Sequence, residues 1–194
     1  MSATQLLLAG CLGLGLAAST GLNTSIPLLL LAAAARFHVV GIALNAKFAW
    51  LQSDAAILVL VVAAVFEIVA DKVPAVDHAL DTIGTFLRPA AGALAATAVF
   101  HGANPVVAAV AGLIIGAPIS FGLHTIKAGA RLTSSVTTFG CANPILSLVE
   151  DIASAGMSMI AIFVPLAIPI VVLLVAFIIG RLAKRLKRPV TSDK

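Results

Sequence analysis

Long runs of hydrocarbon side chains constrain this chain more than any other feature. Residues 55–66, AAILVLVVAAVF, and 168–180, IPIVVLLVAFIIG, are apolar on every face of a helix. Transmembrane β-strands alternate polar and apolar residues over about 10 positions, so these runs favour helices. Only 10% of the residues are charged, against about 25% in soluble domains, which is too few to cover a surface in water. The sequence therefore predicts an all-α, polytopic membrane helical bundle.

Four apolar runs predict helices near the length of about 20 residues that crosses a hydrocarbon core of about 30 Å. They cover residues 3–19, 54–72, 105–127 and 156–183. In the last run, Pro165 and Pro169 are expected to kink the helix without ending it, because no polar turn lies between them.

Three further apolar stretches are too short to cross comfortably, and each begins near a proline that suits a first helical turn. These prolines are Pro27, Pro89 and Pro144, and the stretches cover residues 26–35, 89–100 and 144–149. Short helices that begin at membrane depth are typical of re-entrant segments, which survive only when buried in protein or lining a wet cavity. Ordinary short, tilted helices are the alternative interpretation.

A weak internal repeat relates residues 54–101 to residues 105–154. Each copy has an apolar helix, a charged end, a polar stretch, a proline and a second apolar helix, and the charged end is acidic in the first copy and basic in the second. Residues 37–52 are interpreted as an interfacial connection. The whole chain is interpreted as one transmembrane domain, residues 1–183, followed by a basic tail, residues 184–194.

The net charge of +4 arises mainly from the C-terminal tail. The sequence GRLAKRLKR directly after an apolar helix is a positive-inside signal, which places the C-terminus in the cytoplasm. Since no aromatic residues interleave with the basic ones, no nucleic acid is expected as a partner. The expected partners are the lipid bilayer, a small ion or solute, and further copies of the chain, because the runs AAGALAA and GLIIG allow close helix packing.

Half of the eight acidic residues lie in one stretch, FEIVADKVPAVDHALD, residues 66–81. Glu67 and Asp71 share one face of the predicted helix 54–72, where like charges four residues apart repel each other. At about 1.5 Å per residue, Glu67 lies about 20 Å along this helix, inside the hydrocarbon core. The repulsion must be relieved by a bound cation, by a proton, or by basic side chains from other helices.

Pro74 is expected to end that helix, and residues 75–86 are interpreted as a second, amphipathic helical piece. Asp77 and Asp81 repeat the same four-residue spacing there. Ionisable residues inside a membrane are functional candidates by default, so both pairs are included in the predicted site.

A third acidic pair, Glu150 and Asp151, and three neutral polar residues near the starts of short helices complete the predicted site. Carboxylate, amide and hydroxyl oxygens suit H⁺, Na⁺ and hard divalent cations, whereas no Cys pair or His group suits a soft metal. No other cofactor is expected. The predicted ion- or substrate-binding residues are Glu67, Asp71, Asp77, Asp81, Glu150, Asp151, Asn23, Thr24 and Asn143.

Basic side chains provide a purely structural alternative. If they pair with the acids across helices, the pairs fix the packing and must all be satisfied together. The candidate charge partners are Lys72, Arg88, His124, Lys127 and Arg131.

An enzyme is the third hypothesis. The spacing of Asp77 and Asp81 is similar to that in intramembrane prenyltransferases, which bind diphosphate through Mg²⁺, but the second aspartate motif of those enzymes is absent. No Ser–His–Asp, GxSxG, HExxH or P-loop pattern occurs. The sequence therefore keeps a Mg²⁺-dependent enzyme on lipid phosphates only as an alternative.

Three blocks in order, GLNTSIPLLLLAAAARF, FEIVADKVPAVDHALDTIGTFLRPAAGAL and NPILSLVEDI, resemble the bacterial integral-membrane family catalogued as domain of unknown function 4126. The resemblance implies a compact, multi-helix protein of the bacterial cytoplasmic membrane and implies no activity. From the residues, the first functional hypothesis is a small transporter or channel-like protein for a cation or small polar solute. The second is a non-transporting membrane scaffold or assembly factor.

Overall fold

The computed structural model describes the backbone of residues 2–186, and the side chains of that range except those of residues 74, 75, 77, 78, 179 and 182–186. The predicted tail therefore lies mostly outside the described residues. The α-helices of the described part are α1 Ala3–Leu22, α2 Ser25–Arg36, α3 Asp54–Ala70, α4 Pro74–Ala98, α5 Pro105–Thr138, α6 Asn143–Phe163 and α7 Ile168–Leu186. Short 3-10 helices occupy Val39–Gly41, Ala46–Gln52 and Pro165–Ala167. The predicted fold class, an all-α membrane helical bundle, is confirmed.

The polarity of α5 is inverted relative to a helix of a soluble protein. The buried face of α5 carries Ser120, His124 and Lys127, while its exposed face carries Leu113 and Ile114. Within the described residues, α1, α5 and α6 are long and apolar enough to cross a membrane, and α3 joins them if it is counted with the 3-10 helix before it, across a bend of 68°. A helix with polar groups inside and hydrocarbon outside requires lipid around it, so this is a membrane protein.

The short helix predicted at residues 26–35 is present as α2. It has 12 residues and is about 18 Å long, too short to cross a core of about 30 Å. Residues 40–43, just after α2, share a cavity with Leu8 and Leu12 of α1. The helix α2 therefore returns alongside α1, and the two helices form a hairpin whose turn lies at residues 23–24.

The other two short helices were predicted wrongly. Residues 89–100 belong almost entirely to the second half of α4, with Pro89 inside the helix, and residues 144–149 are the beginning of α6. A proline removes one backbone hydrogen bond, but α4 packs directly on α5 where Gly92 meets the backbone of Gly116. Tertiary packing of this kind outweighs local propensity.

The prediction of one kinked helix over residues 156–183 is also wrong. The helix α6 ends at Phe163, and Val164 has φ −138° and ψ 66°, outside the helical region. The residue before a proline is disfavoured in helical geometry, and here Pro165 starts a separate 3-10 turn. The next helix, α7, begins at Ile168.

The helix α1 lies between α4, α5 and α6. A methyl group on Gly13 would meet Ala96 of α4 at 3.3 Å, and Thr20 donates to Ser120 of α5 at 3.1 Å. The small residues of AAGALAA and GLIIG pack α4 against α5 within one chain. These runs therefore do allow close packing, but they do not by themselves indicate a second copy of the chain.

The internal repeat stays a prediction. Its two copies correspond to α3–α4, with 17 and 25 residues, and to α5–α6, with 34 and 21 residues. The copies share the order of two helices but differ in helix length and in the place of the proline, since Pro89 lies inside α4 and Pro144 lies in the first turn of α6.

Candidate functional site: a charge cluster at a helix break

Charged side chains from four helices meet where α1 ends and α2 begins. All of them are nine-tenths or more buried apart from Glu150, which is partly buried. The charge cluster consists of the acids Glu67, Asp71, Glu150 and Asp151 and the bases Arg88, Lys127 and Arg131. The tertiary structure thus brings together residues that are up to 84 positions apart, from Glu67 to Asp151.

Acceptor side chains satisfy the N-terminus of α2. The Glu67 carboxylate accepts hydrogen bonds from the Thr24 N–H at 2.9 Å, the Ser25 N–H at 3.1 Å and the Ser25 hydroxyl at 2.9 Å. Asn23 Oδ1 accepts from the N–H groups of Ser25 and Ile26 at 3.1 and 3.0 Å. The first N–H groups of a helix have no partner within it, and the helix dipole favours negative charge there. Glu67 and Asn23 therefore cap α2.

Cations satisfy the C-terminus of α1. Arg88 Nη1 donates to the carbonyls of Gly21 and Leu22 at 2.8 and 2.6 Å, and Lys127 Nζ donates to Leu22 at 2.9 Å. Positive charge is favourable at this end of a helix. The Arg88 Nη2 atom also lies 3.5 Å from Glu67, so the two capping groups form an ion pair across the break. A helix break inside a membrane needs such partners, because hydrocarbon offers none.

The remaining ion pairs join α3, α5 and α6. Asp71 Oδ2 lies 3.3 Å from Lys127 Nζ and 3.0 Å from Arg131 Nη2. Glu150 Oε2 lies 3.2 Å from Lys127 Nζ and 2.5 Å from Arg131 Nη2. The structural hypothesis predicted pairing of this kind, and here two acids share two bases.

The predicted repulsion between Glu67 and Asp71 is relieved by basic side chains. Arg88 lies beside Glu67, whereas Lys127 and Arg131 lie beside Asp71. Each carboxylate thus has its own counter-charge, contributed by α4 to Glu67 and by α5 to Asp71. Of the three options that the spacing left open, the structure uses the basic side chains for this pair.

Asp151 differs from the other acids of the cluster. Its Oδ1 accepts from Asn23 Nδ2 at 2.9 Å, while its Oδ2 is buried and has no hydrogen-bond partner in the described part of the chain. The Ser147 hydroxyl, four residues earlier on α6, is fully buried and also without a partner there. With four acids and three bases in the cluster, Asp151 is the carboxylate without an ion pair among the described residues.

Asp81 of α4 lies beside the cluster. Asp81 is partly buried, and its Oδ1 has no hydrogen-bond partner in the described part of the chain. Its carboxylate makes no salt bridge with a described side chain. His124 of α5 approaches α4, with Nε2 3.3 Å from the Thr85 hydroxyl. Asp77 belongs to α4, but its side chain lies outside the described residues. Neither Asp81 nor His124 makes an ion pair within the charge cluster in the described part of the chain.

Two predicted residues lie away from the cluster. Asn143 is buried and donates to the Ser135 hydroxyl at 3.1 Å, and it precedes Asp151 by eight residues, about 12 Å along α6. Lys72 is exposed, and its Nζ donates to the Ile68 carbonyl at 2.8 Å. Lys72 was predicted as a charge partner, but it makes no salt bridge with the cluster among the described residues.

Sequence reasoning missed the serines. Ser25 gives two hydrogen bonds to Glu67, and Ser147, Ser154 and Ser158 lie on the buried face of α6 together with Asp151. With Asp151 included, these polar residues of α6 recur every three or four positions. This spacing is the signal that was available, because polar residues at that spacing in an apolar helix mark one buried face.

In the part of the chain that the structure describes, no group of three or more His, Cys, Asp or Glu side chains is placed to hold a metal ion. The acids lie beside Arg and Lys side chains instead. The hypothesis of a Mg²⁺-dependent enzyme therefore gains no site from these residues.

The family catalogued as domain of unknown function (DUF4126) matches residues 11–185, which include the whole charge cluster. The chain therefore belongs to this family, as the resemblance of its three sequence blocks predicted. No curated protein and no solved structure matches the chain.

Proposed function

We propose that this member of the DUF4126 family is a small proton transporter of the bacterial cytoplasmic membrane, and that Asp151 takes up and releases the proton. One observation carries this function: Asp151 is a buried carboxylate without an ion pair among the described residues, in a cluster with more acids than bases. An isolated buried charge is costly, so a proton on Asp151 neutralises the cluster. Proton relays in membrane proteins use such carboxylates.

The buried face of α6 supplies polar groups on both sides of Asp151. Toward the start of α6 lie the Ser147 hydroxyl and Asn143 Oδ1, both buried and without partners in the described part. Toward the end of α6, the Ser154 hydroxyl donates to the Ser19 carbonyl at 3.0 Å. Buried oxygens at these positions support the proposal that a proton moves along α6 from one hydrogen-bonding group to the next.

The proposed orientation of the chain in the membrane follows from its charge pattern. The basic C-terminal segment after α7 favours a cytoplasmic C-terminus. A homo-oligomer is compatible with this function but is not required for it, because the groups that would carry the proton belong to one chain.

A membrane scaffold is the second candidate function, and the ion pairs favour it. Glu67, Asp71 and Glu150 each lie within 3.5 Å of an Arg or Lys nitrogen, and Glu67 caps α2. Such groups hold helices together whether or not anything is transported. The two candidates therefore differ in the role of Asp151 alone.

Proton flux into liposomes tests the transporter. The full chain is reconstituted with a pH-sensitive dye inside, and a pH gradient is imposed for the wild type, Asp151→Asn and Asp54→Asn. Asp54 is an exposed acid paired with Arg36 at 2.9 Å, so Asp54→Asn is a matched control. We expect flux in the wild type and in Asp54→Asn, and none in Asp151→Asn.

The flux of Na⁺ and of divalent cations is followed in the same liposomes. If the folded wild-type chain conducts no ion, the transporter is wrong and the scaffold is favoured. If Asp151→Asn conducts protons like the wild type, Asp151 is not the proton carrier.

A further inference from the structure

A crevice between α3 and α4 leads from the lipid-facing surface to the charge cluster. It encloses about 210 Å³. Phe66, Ile83 and Leu87 line it and are at least half exposed, whereas Glu67 and Arg88 line it and are nine-tenths or more buried. The crevice is therefore apolar at its mouth and charged at its inner end.

Four donor groups converge on one carboxylate at the inner end of this crevice. Thr24 and Ser25, at the start of α2, give two N–H groups and a hydroxyl to Glu67, and Arg88 Nη2 lies 3.5 Å away. Backbone N–H groups at a helix N-terminus together with an arginine bind carboxylate and phosphate oxygens. The chain's own carboxylate thus fills an oxyanion site.

A second observation indicates that this site takes an additional ligand. Arg88 is 1% exposed, yet its Nε has no hydrogen-bond partner in the described part of the chain. A methyl group placed on Gly84 would lie 2.9 Å from this Nε, and both residues line the crevice. A buried guanidinium N–H without a partner is costly, so the crevice offers an unused donor to an acceptor oxygen.

We propose that the crevice binds a long-chain fatty acid that enters sideways from the bilayer, with its carboxyl group at Arg88 and its acyl chain between Phe66 and Leu87. The apolar mouth fits a hydrocarbon chain, and a volume of about 210 Å³ fits a carboxyl group with a few methylenes. This site is separate from the proton carrier Asp151 and goes beyond the proposed function.

The binding step is balanced in atoms and charge. The neutral acid crosses the apolar mouth, its O–H bond breaks, and an O–H bond forms on Glu67. The ligand carboxylate then accepts hydrogen bonds from Thr24, Ser25 and Arg88 in place of Glu67. One carboxylate replaces another, so the net charge of the cluster does not change.

Saturable binding of radiolabelled oleate to the full chain in nanodiscs tests this site. Gly84→Ala places a methyl group beside Arg88 Nε without removing a charge, and Gly122→Ala is the matched control, because nothing lies within 4 Å of a methyl group there. We expect Gly84→Ala to weaken binding about tenfold, the loss of one hydrogen bond to a charged group. Gly122→Ala is expected to bind like the wild type.

Three outcomes would overturn the fatty-acid site. They are the absence of saturable oleate binding to the wild type, equal binding by Gly84→Ala, and binding of oleyl alcohol as tight as that of oleate. Displacement of oleate by excess acetate would assign the site to soluble anions rather than to lipids. Binding is measured without a pH gradient, so its failure and a failure of proton flux are independent results.

Discussion

The end of α3 and the middle of α6 hold buried carboxylates in different ways. Asp71 lies 3.3 Å from Lys127 and 3.0 Å from Arg131. Asp151 is also more than nine-tenths buried, but it receives one amide hydrogen bond from Asn23 and makes no ion pair among the described residues. The comparison teaches that burial alone does not tell how a carboxylate is compensated. The two acids differ in the number of cations beside them.

The physical reason is the low dielectric of the interior. Coulomb attraction grows as the dielectric falls, so two adjacent cations hold a carboxylate firmly in place. When a carboxylate without an adjacent cation takes up a proton, it loses less electrostatic attraction than a carboxylate that has a cation beside it. Variants that remove one charge at a time are therefore expected to lower stability by different amounts at the end of α3 and in the middle of α6.

The largest effect is expected from Lys127→Met. Lys127 binds the Leu22 carbonyl, Asp71 and Glu150, so its loss leaves buried acceptors with one cation fewer. Breaking a buried ion pair from one side costs about 3–5 kcal/mol. The free energy of unfolding in detergent, measured by denaturant titration, is expected to fall by that amount.

Lys72→Met is the matched control for this change, because Lys72 is exposed and its Nζ hydrogen bonds only to the Ile68 carbonyl of α3 among the described groups. Its effect is expected to stay within about 0.5 kcal/mol. A Lys127→Met chain as stable as Lys72→Met would contradict the structural role of the paired region.

The next largest change in the free energy of unfolding is expected for Asp71→Asn, which is compared directly with Asp151→Asn. Asp71→Asn removes a carboxylate from two cations and is expected to lower the free energy of unfolding by about 3 kcal/mol. Asp151→Asn keeps an acceptor for Asn23 and is expected to change it by less than about 1 kcal/mol. The same denaturant titration measures both, and equal losses for the two variants would refute the distinction between the regions.

A smaller loss of stability than that of Asp71→Asn is expected from Ser25→Ala. It removes the hydroxyl that donates to Glu67 at 2.9 Å but leaves the N–H of the same residue in place. Loss of one hydrogen bond to a charged group predicts a destabilisation of about 1.5 kcal/mol. Thr125→Ala, which removes an exposed hydroxyl bonded within its own helix, serves as the control and is expected to be nearly neutral.

All seven members of the charge cluster were among the charged residues that the sequence singled out. Glu67, Asp71, Arg88, Lys127 and Arg131 stand out because charged residues are rare in an apolar chain, and each one inside a membrane needs a reason. Their partners were not predictable, because residues on four helices approach one another only after the helices pack.

The helix boundaries show the same limit. The short helix α2 was predicted from its length and proline, and its placement beside α1 was not. Residues 89–100 and 144–149 were separated from their helices because a proline was treated as a start. In the structure, Pro89 continues α4, whose packing on α5 outweighs one lost hydrogen bond.

By itself, the sequence determined that this is an all-α membrane protein and which side chains carry charge, since hydrocarbon excludes unpaired backbone and forces helices. Only the tertiary structure decided how those charges are used. It placed Glu67 at the start of α2 and Arg88 at the end of α1, and it left Asp151 without a cation among the described residues. Distances across helices decide such pairings, and they depend on packing that no local pattern specifies.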